Sequence, residues 1–328
     1  MKKGKVFITG GAGFIGSRVV ARCLDQGYEV RCLLRPTTNT RRLEGLEYER
    51  FDGDITDAAS MEEGVSGCTH VIHLASLSNW KDIHSPKMPL VVIQGSQNVL
   101  KAARKAGNIP VVYVSSSTAI NGTEEKVLLN ESSPLTLNSK QFVYPHAKKA
   151  VEEMCRAEAA NGLPVVIVNP TEVYGPYDWD KITSGNLIDF ATTKEVQLAK
   201  GGTSIVHVDD VATGILAAME KGRPGERYIL GGENMEFTDL AKLTLDILGI
   251  QKKVSLIPRT MLMALAWISK TFKINMGFEP AVIPYAVKYW FVDNSKAVNE
   301  LGVTFRSPRE ILEPTLVWVK EAGLLDKK

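Results

Sequence analysis

Residues 6–16 read Val6-Phe7-Ile8-Thr9-Gly10-Gly11-Ala12-Gly13-Phe14-Ile15-Gly16, an apolar run that passes through a glycine cluster into a stretch of helical periodicity. The order strand, glycine turn, helix decides the fold class. Gly11, Gly13 and Gly16 fit G-x-G-x-x-G, while Gly10, Gly13 and Gly16 fit the wider G-x-x-G-x-x-G. In such a turn one glycine permits a tight bend, one lets the backbone approach a pyrophosphate, and one lets the helix pack close to the strand. The unpaired amides at the helix start then face the anion. The glycine pattern alone is a weak signal, and its place between a strand pattern and a helix pattern gives it meaning.

Outward from the turn, Ile15, Val19, Cys23 and Leu24 recur at helical spacing and Gly27 supplies the stop. A second strand, 29–34, ends at Arg35. An acidic residue there would accept from the 2′-hydroxyl of an adenosine ribose. Arg35, with Arg41 and Arg42 downstream, instead suits a 2′-phosphate, because guanidinium forks match phosphate geometry. After a short strand near 48–51, Asp54 is placed to accept from an adenine amino group and Ile55 to cover the ring, while Asp57 caps the next helix. Val71-Ile72-His73-Leu74-Ala75 is a continuous apolar strand, the form expected when both sheet faces are covered. A helix over 90–106 and a strand over 111–115 continue the alternation. The expected fold is therefore α/β, a doubly wound parallel sheet.

Ligands in such sheets bind beyond the carboxyl ends of the strands, which places Ser115-Ser116-Ser117-Thr118 near a cofactor. Tyr144-Pro145-His146-Ala147-Lys148 opens another helix and sets Tyr144 and Lys148 on one face. A phenol with a pKa of about 10 is a poor acid-base group at neutral pH, and a nearby ammonium lowers it. The strand 165–168 exits through Asn169-Pro170-Thr171-Glu172-Val173-Tyr174-Gly175-Pro176, beyond which the alternation breaks down. Residues 1–169 are read as the dinucleotide-binding domain, with returns near 205–221 and 287–297. Residues 170–328 form a smaller, mixed substrate part interleaved with them. Helical patterns recur at 239–248, 260–272 and 308–322.

Lys and Arg number 39 against 37 Asp and Glu, so no overall field points to nucleic acid or an anionic membrane, and a small molecule is the expected partner. Cys23, Cys32, Cys68 and Cys155 lack metal-ligand spacing and read as reduced, packed thiols, hence no metal site and a cytoplasmic protein. Met1-Lys2-Lys3-Gly4 leads directly into the first strand without a targeting segment. The apolar stretch 261–268 is too short to span a bilayer and is followed by Lys270 and Lys273, which suits a pocket-lining or interfacial helix. His73 and His207 read as structural histidines and His146 as solvent-facing.

Together, Thr9 to Gly16, the pair Tyr144 and Lys148, and Val206-His207-Val208-Asp209-Asp210-Val211-Ala212 resemble the extended short-chain dehydrogenase/reductases over nearly the whole chain. That resemblance implies a Rossmann fold and a Ser-Tyr-Lys site. Tyr144 would exchange the proton with the reacting oxygen, Lys148 would hold the nicotinamide ribose, and a serine would stabilise the developing alkoxide. By its spacing to Gly122, Ser117 matches that serine, with Ser116 as the alternative. The implied cofactor site comprises Gly10, Gly13, Phe14, Ile15, Gly16, Arg35, Asp54, Ile55, Leu74, Ala75, Tyr144, Lys148, Pro170 and Val173. Where the family usually has Asn, this chain has Val92, which cannot hydrogen-bond through its side chain.

Nucleotide-sugar enzymes of the family commonly carry Arg and Asn where Asn169, Glu172 and Thr203 stand here. Instead, Val168-Asn169-Pro170-Thr171 resembles the dihydroflavonol 4-reductase branch, which includes 3β-hydroxysteroid dehydrogenase-like proteins and a hopanoid-associated epimerase group. Trp80 and Arg223-Pro224-Gly225-Glu226-Arg227-Tyr228 look like the last of these. The expected activity is interconversion of a carbonyl and an alcohol on a mostly apolar small molecule, with NADP(H) preferred and NAD(H) the alternative. A nucleotide-sugar epimerase or dehydratase using NAD(P) transiently is the second reading, and an inactive NAD(P)-binding sensor the third. Relatives often dimerise through helices matching those that begin near Leu90 and Pro145, so a homodimer is expected.

Overall fold

A computed structural model describes residues 3–79, 82–83, 85–272 and 280–326. Trp80, which carried part of the resemblance, and Lys273 lie outside them. Seven parallel strands lie in the order β3 (Glu49–Asp52), β2 (Glu29–Leu34), β1 (Lys5–Thr9), β4 (His70–His73), β5 (Val111–Val114), β6 (Val165–Pro170) and β10 (Arg227–Leu230). The winding direction reverses between β1 and β4. The crevice outside the carboxyl ends of these two strands is where such sheets bind ligands, and the glycine turn follows β1 there.

The continuous apolar strands have a simple cause, since successive side chains point to opposite faces and both faces are covered. Val6, Ile8, Val112, Val114, Val166 and Val168 join a core with α1 (Phe14–Asp25) and α6 (Val208–Lys221). Phe7, Val111, Tyr113, Val165 and Ile167 join the opposite core with α2 (Ala58–Val65), α3 (Gly95–Lys105) and α4 (Val143–Ala160). The helix expected over 90–106 differs at its start: Pro89–Gln94 is a π-helical turn that leads into α3. Such turns insert an extra residue and cluster at functional sites.

The remaining strands make a smaller sheet, in which β9 (Gly202–His207) pairs with β7 (Glu172–Tyr174), β11 (Asn234–Glu236) and β13 (Tyr289–Trp290). Beside it β8 (Val196–Leu198) pairs with β12 (Val254–Leu256). Helices α5 (Ser184–Thr192), α7 (Phe237–Leu248) and α10 (Pro308–Glu321) share a separate core on this sheet. α10 begins with a capping box, Ser307 with Glu310, and Pro308 in its first turn. Helices α8 (Arg259–Phe272) and α9 (Ile283–Ala286) complete this half. The chain revisits the large sheet through α6, β10 and the turn Ala297–Leu301, whose Ala297 and Leu301 enter the first core. Among the described residues no helix is long and apolar enough to cross a membrane.

Candidate active site

Two glycines of the turn are required sterically. A Cβ on Gly10, whose φ is +75°, would lie 2.8 Å from the Ala75 amide nitrogen, and one on Gly16 would lie 2.1 Å from the Gly10 carbonyl oxygen. Gly13 is different, because its Cβ would meet only that carbonyl, at 3.2 Å. Gly13 caps α1 without a side-chain bond, and the first helical turn, including Phe14, Ile15 and Gly16, holds no acid. Its amides are thus left for an anion, and the cradle fits the diphosphate of a dinucleotide.

At the adenosine end, Arg35 is exposed beyond β2 and its guanidinium is unpaired among the described residues. The expectation that Arg41 and Arg42 join it needs correction. Arg42 donates to the Tyr177 carbonyl at 2.9 Å and to Asp180 at 2.8 Å and reaches the Ala12 carbonyl at 3.4 Å, while Arg41 lies 4.0 Å above the Trp179 ring. Both bind the segment that follows β7. Asp54 accepts through Oδ1 from the Thr56 amide and hydroxyl, and Ile55 is buried with its carbonyl held by Asn98. Leu74 and Ala75 are half-buried after β4, and the Ala75 amide donates to Thr9 Oγ1 at 3.2 Å. Pro170 ends β6 and is buried. Val173 packs into the core between sheet and α6.

Tyr144 and Lys148 lie one turn apart on α4. The serine hydroxyl that bonds the Tyr144 side chain is that of Ser116, whereas Ser117, the sequence-based choice, starts a short buried 3-10 turn. Spacing to Gly122 could not register that turn, which rotates successive serines to different sides. The ammonium of Lys148 does not meet the phenol oxygen. It donates to the Val114 carbonyl at 2.9 Å and lies 5.0 Å from the Tyr113 ring centre and 5.9 Å from that of Tyr144. Burial accordingly pushes the Tyr144 phenol up to about 12, with the Ser116 bond pulling the other way, contrary to the lowering expected from its lysine neighbour. Burial also lowers Lys148 to about 7, against the opposing pull of Glu152 and Cys155.

The fully enclosed His73 links the end of β1, just before the glycine turn, to α3. Its Nδ1 lies 2.6 Å from Thr9 Oγ1 and its Nε2 2.9 Å from Ser96 Oγ, which in turn donates to the Val92 carbonyl at 2.5 Å. The Ser96 proton is committed to that carbonyl, so His73 must donate through Nε2 and accept at Nδ1 from Thr9. Burial and the Lys148 charge depress His73 to about 3, leaving it neutral. At the position where the family has Asn, the Val92 side chain is buried in the core and its carbonyl is held by Ser96 within the π-helical turn. His146 does not face solvent only, since its Nε2 donates to the Leu137 carbonyl at 2.8 Å. His207 caps α6, accepting from the Asp209 amide.

Sequence reasoning missed a buried network behind the serines. Glu152, wholly enclosed on α4, accepts from Ser115 Oγ at 2.7 Å, Asn169 Nδ2 at 2.6 Å and Arg227 Nη1 at 2.9 Å. Asn169 also donates to the Ser116 carbonyl at 2.8 Å, so the carboxylate fixes the backbone that carries Ser116. Spacing held the clue, because Glu152 follows Lys148 by four residues and Tyr144 by eight, on the same helix face. On the substrate side, Glu172 accepts from Tyr174 at 2.6 Å and Asn186 at 2.8 Å, and burial raises its carboxyl. A cavity of about 430 Å3 lies beyond Phe142, lined by Asn121, Gln141, Arg259, Met263 and Lys288 among others.

A family model described as the NAD dependent epimerase/dehydratase family matches residues 6–231. The chain is 29% identical over 327 residues to a Synechocystis sp. protein provisionally named dihydroflavonol 4-reductase, covering 97% of this chain and 95% of that one. It is also 29% identical to the 4-hydroxy-2-methyl-3-oxo-4-farnesyl-3,4-dihydroquinoline-1-oxide ketoreductase of Stigmatella aurantiaca, over 77% of this chain and 76% of the relative. Among solved structures, a nucleoside-diphosphate-sugar epimerase from Pseudomonas aeruginosa superimposes with a TM-score of 0.82 at 25% identity, covering 98% of this chain and 99% of the other.

Proposed function

This chain belongs to the NAD dependent epimerase/dehydratase family, as an NAD(P)-dependent enzyme of the extended short-chain dehydrogenase/reductase type, and on that premise we propose an NADP(H)-preferring oxidoreductase that interconverts a carbonyl and an alcohol on a mostly apolar small molecule. One observation carries the reading: the Tyr144 hydroxyl, bonded by Ser116, sits a turn before Lys148, whose ammonium is tied to the Val114 carbonyl at the carboxyl end of β5. When bound, the nicotinamide supplies the hydride. The turn from Gly10 to Gly16 would hold its diphosphate, Arg35 a 2′-phosphate, and Lys148 the ribose nearest the reacting ring.

In the reducing direction, Tyr144 holds the proton that the substrate oxygen takes up. Its burial keeps the phenol protonated at neutral pH, and the Ser116 hydroxyl is placed to share the hydrogen bond to the developing alkoxide. Val92 offers no side-chain relay, and Lys148, lowered by burial, can give up a proton near neutral pH. The apolar-substrate part of the proposal is supported by the Stigmatella relative, named for reduction of a ketone on a farnesyl-bearing ring. It is supported too by Glu172, since a half-buried acid stands where a sugar diphosphate would need cations. The same proposal keeps the protein in the cytoplasm, where its free, buried cysteines stay reduced, and pairs two copies along α3 and α4.

Loss of NADPH absorbance with a panel of apolar ketones and aldehydes tests the reading. Tyr144→Phe should cut turnover by roughly 10²- to 10⁴-fold while NADPH still binds. Isomerisation of a nucleotide sugar with no net NADPH loss would overturn it in favour of an epimerase. Unchanged behaviour of the Phe variant would point to a sensor.

A further inference from the structure

Helix α8 presents two unlike faces. Toward the protein, Ala266 packs with Ala199, Ile283 and Val287, and Arg259 and Met263 line the cavity beyond Phe142. On the opposite side Met261, Ala264, Trp267, Thr271 and Phe272 are all exposed, without a charged residue among them. Trp267 and Phe272 are 64% and 63% exposed and meet edge to face, with ring centres 6.4 Å apart. Leu256, on the strand just before, is 50% exposed.

The charge carried by this segment of the chain is one-sided. From residue 247 to 272 the chain contains Lys252, Lys253, Arg259 and Lys270 and no Asp or Glu, although the whole chain carries only two cations in excess. The remainder is therefore net negative, and this segment is where positive charge collects. Lys252 is anchored to carbonyls of Phe190 and Thr193 at the end of α5, and Arg259 pairs with Glu124 across the cavity mouth. A helix with Trp and Phe on one side in a segment of net positive charge suits the plane of a lipid interface.

We infer that α8 docks this protein on an anionic lipid bilayer, with Trp267 and Phe272 inserted among the acyl chains and the net positive charge of residues 247–272 drawing the segment to the headgroups. The opposite face of the same helix walls the cavity, so the docked helix separates the membrane from the site by its own width. Docking stands on α8 and its charge surroundings. Only the further step, that an apolar substrate enters the cavity from the lipid, rests on the reductase reading.

Co-sedimentation of the full chain with sucrose-loaded vesicles, of phosphatidylcholine alone or mixed with phosphatidylglycerol, tests the docking without any turnover. The expected result is binding to the anionic vesicles that weakens with added salt, together with quenching of tryptophan fluorescence by lipids brominated on the acyl chain. The double variant Trp267→Ser, Phe272→Ser should lose binding by at least roughly tenfold while retaining NADPH binding, which certifies its fold. Equal binding to neutral vesicles, undiminished binding by the folded double variant, or no binding to either vesicle overturns the inference. So does a dimer that the double variant dissociates while the parent ignores vesicles, since a second copy would then cover the face. A chain that docks but reduces no carbonyl would leave the docking standing and remove the reductase reading alone.

Discussion

On the sheet side of the cleft, Val6, Phe7, Ile8 and Thr9 are completely buried, His73 makes hydrogen bonds at both ring nitrogens, and Glu152 and Arg227 neutralise one another in the interior. On the other side, α8 turns its largest aromatic side chains outward. The contrast teaches where each kind of information resides. A dinucleotide has a constant shape, and the sheet behind its half of the cleft is packed on both faces, with Tyr113 Oη and Asn169 Oδ1 buried there without a partner among the described residues. The half that meets a substrate or a surface keeps large apolar side chains exposed, because those are the groups with something left to bind.

If that division is real, damage on the two sides should differ in size and kind. Glu152→Gln leaves the buried Arg227 without its counter-charge and should lower unfolding stability by ~3–5 kcal/mol in urea titration. A loss below ~1 kcal/mol would show that water reaches the network. Lys148→Met probes the same side through pH. In the folded chain Lys148 titrates near 7 against 10.5 when unfolded, so the unfolded state binds more protons between those values and stability rises with pH there. Its contribution is complete above 10.5 and lost as the pH falls through 7. The parent should therefore gain stability from about pH 7 to pH 9 while the variant does not, a difference of a few kcal/mol read by urea unfolding at each pH. Parallel curves would show that Lys148 is solvated.

Smaller effects sharpen the boundary. Arg35→Ala should weaken NADPH binding by about tenfold, ~1.4 kcal/mol, and leave NADH nearly unchanged in fluorescence titrations. Equal loss for both cofactors would remove Arg35 from the phosphate. On the substrate side, Trp267→Ser should change unfolding stability by less than about 0.5 kcal/mol, as befits a side chain that packs against so little of its own fold.

How far the sequence could be read depended on the range of the forces involved. The strand, turn and helix around Gly10 to Gly16 were legible because backbone sterics and helix amides act within a few residues, and the parallel sheet followed from apolar strands alternating with helices. The helical pattern at 260–272 was legible too, though not which of its faces would be left open. The choice between Ser116 and Ser117 was not legible, because a single 3-10 turn sets it. Nor was the diversion of Arg42 to Asp180, a contact between residues 138 positions apart. The expected lowering of the Tyr144 phenol failed for a related reason: adjacency on a helix puts the ammonium near the ring, but burial is a property of the whole fold and it dominated.

By itself the sequence determined that a glycine turn would offer helix amides to a diphosphate and that a tyrosine and a lysine would share one helical face, since both rest on local geometry. Only the tertiary structure decided which serine meets the tyrosine, which arginine stays free, and that a buried carboxylate from the lysine's own helix fixes the serine loop. Those outcomes turn on desolvation and on partners far apart in the chain, quantities that exist only once the two halves have packed together.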